Sequence, residues 1–180
     1  MEQKLGELYR AAANKITVEI MDIYPLLLEE DVLANNYYRY VRLFKLREQI
    51  NLELSQLGIK ELEELQYSLK QMYIYSTKKT LQGLNFKVKN NKELNVLVKS
   101  LWDNRSSWSE TVWCRDGLSG SQRVSKSMTQ LYNTLERGMN DCVLRGASKD
   151  ELVKTLQQRF DVSYSQANRL ARTELTYIQN

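Results

Sequence analysis

The groups in this chain with the most chemical potential are charged, and they concentrate in two places. Arg169, Arg172, Thr173 and Glu174 lie close to the C-terminus, and a lysine run, Lys78, Lys79, Lys87, Lys89 and Lys92, occupies the middle. Acid–base catalysis by Glu174 would need a partner group and a tuned pKa, and the sequence offers no partner for it. On a helix, Arg169 with Thr173 and Arg172 with Thr176 stand four apart, which suits fixed polar contacts or a solvated face. The lysine run has no acid between Lys70 and Glu93 and is interleaved with Asn85, Phe86, Asn90 and Asn91. It is the candidate contact for the phosphates of double-stranded DNA, set against the simpler reading of a solvated surface.

What is missing narrows the chemistry further. The chain contains no histidine, the commonest general base and the commonest metal ligand. Its two cysteines, Cys114 and Cys142, are far apart and lack metal-ligand spacing. Zinc sites and Ser-His or Cys-His nucleophile pairs are therefore excluded. No paired carboxylates or glycine-rich phosphate loop stand out either, so the expectation is a binding protein with no cofactor, metal or small-molecule substrate.

Composition places these groups on helices. One proline and seven glycines in 180 residues leave little material for the turns of an all-β fold. The expected class is mainly α, and the length suffices for a real core. The net charge of +4 permits contact with phosphate without demanding it. No apolar run approaches the ~20 residues of a membrane span. The N-terminus has no apolar signal core, so reduced thiols and the bacterial cytoplasm, or a particle assembled there, are expected.

Three regions follow from the periodicity. Residues 1–82 read as an N-terminal helical hairpin or bundle. Leu5, Leu8, Ala12, Ile16, Ile20 and Ile23 make one stripe. Pro25 is expected to interrupt that helix and start a short one, and Asn35-Asn36 to turn the chain. A helix with Tyr40, Leu43, Phe44, Arg47 and Ile50 or Asn51 on one side is expected to end at an αL Gly58. Another then carries Leu62, Leu65, Leu69 and Met72. The tyrosines Tyr37, Tyr38, Tyr40, Tyr73 and Tyr75 are candidates for partner docking, most of them packing ring-inward.

Residues 83–120 read as a connection. It holds a short helix with Leu94, Leu97, Val98 and Leu101, and a segment with all three tryptophans, Trp102, Trp108 and Trp113. A small β element near 84–90 is an alternative to a loop. Large rings in such a segment either pin it to the body or anchor a partner.

Residues 121–180 read as a long helix followed by two short ones. Val124, Met128, Leu131, Leu135, Gly138 and Cys142 form a heptad seam, where Gly138 implies the close approach of another helix. Gly146 is expected to end this helix in the αL conformation. Ser148 with Glu151, then Ser163 with Gln166, make two capping boxes. The first opens a helix bearing Leu152, Leu156 and Phe160, and the second one bearing Ala167, Leu170 and Ala171.

The run Gly146, Ser148, Glu151-Leu152, Phe160, Ser163, Ala167, Arg169-Leu170-Ala171-Arg172-Thr173-Glu174 resembles the C-terminal pattern of the Mu F-like minor head (head morphogenesis) proteins of tailed bacteriophages. Upstream, Trp113, Gly117 and Arg123 are similar to the Trp, Gly and Ser-x-Arg signature of the Gram-positive phage branch. The specific part covers roughly residues 110–180. The resemblance implies a minor capsid protein that binds the portal, with scaffold or other capsid proteins as further partners, located at the portal-proximal interior of the virion. It implies assistance in head assembly or genome delivery, with contact to packaged DNA as an option. The chain ends six residues after Glu174, so enzymatic extensions found in some relatives are not transferred to it. A general helical nucleic-acid-binding module without a virion role is the alternative.

Overall fold

The computed structural model describes residues 1–28, 35–84, 91–103 and 117–179, and those residues form five helices. They are α1 (Glu2–Leu28), α2 (Asn35–Gly83), α3 (Asn91–Asp103), α4 (Gly120–Arg145) and α5 (Lys149–Gln179). The fold is mainly α, and no strand occurs among the described residues. No helix is long and apolar enough to cross a membrane among those residues.

One core joins α1, α2, α4 and α5, drawing apolar side chains from Leu5 through Ala171. Each helix contributes a stripe at steps of three or four. On α1 it is Leu5, Tyr9, Ala12, Ile16, Ile20 and Tyr24, and on α2 it is Leu46, Ile50, Leu54, Leu57, Glu61, Leu65 and Leu69. The α4 seam is buried at all six expected positions, Val124, Met128, Leu131, Leu135, Gly138 and Cys142. A Cβ placed on Gly138 would stand 3.2 Å from Thr155 Cγ2 on α5, so the glycine admits α5 as its place on the seam predicts.

The terminus of α4 also follows the sequence. Gly146 sits at φ 60°, ψ 35°, and its N–H donates to Val143 O at 3.2 Å while that of Ala147 donates to Cys142 O at 2.9 Å. This is a Schellman arrangement, which satisfies carbonyls the helix leaves open. The Glu151 amide then donates to Ser148 Oγ at 3.3 Å, opening α5, while the Glu151 carboxylate pairs with Arg145 across the turn at 2.9 Å.

Three expected breaks are not breaks. Pro25 lies inside α1, which continues to Leu28. Proline disfavours helical geometry in the residue before it. Here that residue is Tyr24, fully buried, whose hydroxyl donates to Ala147 O at 2.7 Å and is held by tertiary packing. Gly58 does not cap a helix either; α2 runs through it for 49 residues, about 73 Å at 1.5 Å per residue. A Cβ there would come within 2.9 Å of Met128 Cγ on α4, so Gly58 is a contact glycine of the same kind as Gly138. Asn35 and Asn36 occupy the first turn of α2.

Ser163 is the third. It opens no new helix, because α5 is continuous from Lys149 to Gln179. The buried positions of α5, Leu152, Leu156, Phe160, Ser163, Ala167, Ala171 and Glu174, keep one helical phase across the expected junction. Burial of that unbroken stripe outweighs a local cap worth about 1 kcal/mol.

Leu69 is the last α2 residue in the core, and beyond it α2 pairs with α3. Lys70 meets Asp103 at 2.9 Å and the Tyr73 ring lies 5.3 Å from that of Trp102, which sets α3 antiparallel to α2. Leu94 and Val98 face inward in this hairpin, while Tyr75, Leu84, Val96 and Leu101 are exposed.

Candidate functional site

Of the residues that carried the resemblance, Arg123 and Glu174 meet where α4 begins and α5 ends, while Gly146, Ser148 and Glu151 form the turn at the opposite end of the two helices. Ser119 caps α4 with a complete capping box: its side chain accepts from the Gln122 amide and the Gln122 side chain accepts from the Ser119 N–H. Gly117, exposed at φ 70°, turns the chain into this cap, an αL position that suits glycine. One turn into α4, Arg123 is buried and pairs with Glu174, which is 1% exposed near the end of α5. The two halves of the motif, 51 residues apart in sequence, thus meet in one buried ion pair. Such a pair is charge-assisted, and removing either member would strand an uncompensated charge.

Arg172 points away from this pair. Its Nε donates to Glu2 Oε1 at 2.7 Å, and the guanidinium holds the Glu2 carboxyl below its usual range. Residues near both ends of the chain are thereby tied by an exposed contact. Thr173 Oγ1 donates back to the Arg169 carbonyl at 2.9 Å, a local bond on the helix surface. Arg169 is exposed, and Ala167 and Phe160 pack in the core.

Ser163 belongs to a second buried polar group that sequence reasoning missed. The Tyr9 hydroxyl on α1 donates to Glu61 Oε2 on α2 at 2.7 Å, and Ser163 on α5 hydrogen-bonds Tyr9. Glu61 is fully buried, and its Oε1 has no hydrogen-bond partner among the described residues. Burial raises its pKa to about 7, against a smaller lowering by the Tyr9 bond. Burial and the neighbouring carboxyl likewise push the Tyr9 phenol up, so it stays a donor at any ordinary pH. A signal was available: Glu61 falls four residues after Leu57 and four before Leu65, on the buried stripe itself.

The remaining candidates scatter. Lys78 and Lys79 lie near the end of α2 and Lys92 in the first turn of α3, so the antiparallel pairing brings them toward the same end of the hairpin. Tyr73 is half-buried against Trp102, whereas Tyr75 is exposed. Trp113, Lys87 and Lys89 lie outside the described residues, as does the expected β element near 84–90 apart from Leu84, and so do the side chains of Tyr37, Tyr38 and Tyr40. Cys142 is buried on the seam. No cluster of metal-ligating side chains occurs among the described residues.

Comparison with protein-family models, curated proteins and solved structures finds no match.

Proposed function

We propose that this chain is a minor capsid, or head morphogenesis, protein of a tailed bacteriophage that binds the portal protein and assists head assembly or genome delivery. The observation that supports this reading is the Arg123–Glu174 pair. Two motif segments that resemble the phage family separately are also joined physically, as a unit with a structural purpose would require. The role is binding, and Arg123 with Glu174 acts by holding α4 and α5 in register. The α2–α3 hairpin is the docking element in this reading. It extends past the core and exposes Tyr75, Val96 and Leu101 beside lysines, the mixture of ring, apolar and cationic side chains found at interface centres.

The test is co-expression with a portal protein from the same phage genome, followed by affinity capture and mass spectrometry of purified virions. Co-purification with portal and presence in the particle are the expected results. Failure of both would remove the assignment. The alternative, a general helical nucleic-acid-binding module, predicts DNA affinity with no portal association.

A further inference from the structure

The outer faces of α4 and α5 enclose a groove that runs well beyond the motif residues. One end, of about 520 Å³, is lined by Lys126, Ser127 and Gln130 of α4 and by Gln166, Arg169 and Thr173 of α5. The other, of about 410 Å³, is lined by Gln130, Asn133, Thr134 and Arg137 facing Arg159 and Gln166. Gln130 and Gln166 belong to both, so the two ends form one continuous trough. Lys126 faces Arg169 at one end and Arg137 faces Arg159 at the other. Eleven residues separate Lys126 from Arg137, a helical rise of about 16 Å.

All four cations are exposed, and none pairs with a carboxylate among the described residues. Among those residues the single acid lining the trough is Glu174, already engaged by Arg123. Several cations elsewhere have partners: Lys4 with Glu64, Lys15 with Glu53, Arg47 beside Glu136, and Arg145 with Glu151. What sets the trough apart is arrangement: two such cations at each end of one groove, with amides and hydroxyls between them.

We infer that the α4–α5 groove binds the phosphate backbone of a nucleic acid duplex. A ligand that engages both ends must carry negative charge over about 16 Å, and a strand of duplex offers one phosphate per ~3.4 Å of axis. Any register then satisfies both cation pairs, so sequence is not read. Three of the four cations are arginines, whose planar fork suits phosphate oxygens. Gln130, Asn133, Thr134 and Gln166 supply neutral donors between them. An acidic protein segment would need carboxylates placed to match both ends, a stricter demand. Duplex binding of this kind requires only the groove and does not depend on portal binding.

The test measures anisotropy of a labelled duplex of roughly 20 base pairs against salt. With four phosphates engaged, the slope of log K on log salt should be near −3 to −4, a loss of roughly 100-fold between about 50 and 200 mM salt. Replacing Lys126, Arg137, Arg159 and Arg169 together by Gln should weaken binding at least tenfold and flatten the slope, with helicity and thermal midpoint unchanged. Should that variant misfold, the Lys126→Gln/Arg137→Gln and Arg159→Gln/Arg169→Gln pairs each should reduce the slope by about 2. The Lys78→Gln/Lys79→Gln/Lys92→Gln variant should keep wild-type affinity. Duplex binding by the groove is refuted by absent binding at low salt, by a slope insensitive to the groove variants, or by loss through the hairpin variant instead. Groove-dependent binding of polyglutamate in preference to duplex would refute it in favour of an acidic protein surface. None of these outcomes bears on portal capture.

Discussion

The two buried carboxylates among the described residues solve one problem in opposite ways. Glu174 is buried in the α4–α5 interface together with a cation, Arg123. Glu61, where α1, α2 and α5 meet, has a neutral phenol on one oxygen and, among the described residues, no partner on the other. The first arrangement replaces lost hydration with an opposite charge. The second leaves the ionised form so poorly solvated that burial lifts the pKa to about 7. Glu174 therefore ties α5 to α4, and Glu61 is a group whose cost depends on pH.

The largest test of that contrast is Arg123→Ala. It leaves Glu174 buried without its cation and should cost about 3–5 kcal/mol, lowering Tm by roughly 10 °C, readable by calorimetry. A loss of less than about 1 kcal/mol would mean that water reaches the pair.

Glu61 should produce a pH dependence. Its folded pKa lies above its unfolded value, so its contribution is fully present below about pH 4.5 and is lost as pH rises through about 7. The difference amounts to about 3 kcal/mol at about 1.4 kcal/mol per unit. Chemical denaturation between those pH values should show the decline, and Glu61→Gln should abolish it. An unchanged slope in the variant would assign the decline to other groups.

Tyr9→Phe comes next, at about 1–3 kcal/mol, because it removes the only donor to Glu61 among the described residues. That donor favours the ionised carboxylate. The variant should therefore extend the decline to higher pH, and an undisplaced profile would deny the bond that role. The smallest effect is expected from Arg172→Ala. The same arginine–glutamate chemistry as Arg123–Glu174 operates there in solvent, with Glu2 as partner, so the thermal midpoint should hardly move at physiological salt.

These contrasts also separate what is legible in the sequence from what is not. The α4 seam, the reason for Gly138, and the Gly146 and Ser148 punctuation can all be read, because each depends on a helical repeat or on the backbone of a few neighbouring residues. The pairing of Arg123 with Glu174 cannot, although both belong to the motif, since nothing in a linear pattern says which helix faces meet. Glu61 is hidden by its neighbours. With Lys60 before it and Glu63 and Glu64 after it, charge surrounds it along the chain. It looks solvated until the stripe Leu57, Leu65, Leu69 is drawn through it.

By itself, the sequence determined that this protein is helical, where α4 ends, and which face of α4 is buried. Those outcomes follow from local propensity, an αL glycine and a repeat, all set within a few residues. Only the tertiary structure decided that helices run on through Pro25, Gly58 and Ser163, and that Arg123, Glu174 and Glu61 lie inside the core. The physical reason is one of magnitude. A cap or a glycine shifts a helix by about 1 kcal/mol. Burying a stripe of side chains against neighbouring helices contributes several times more, and it does so only once the partners are in place.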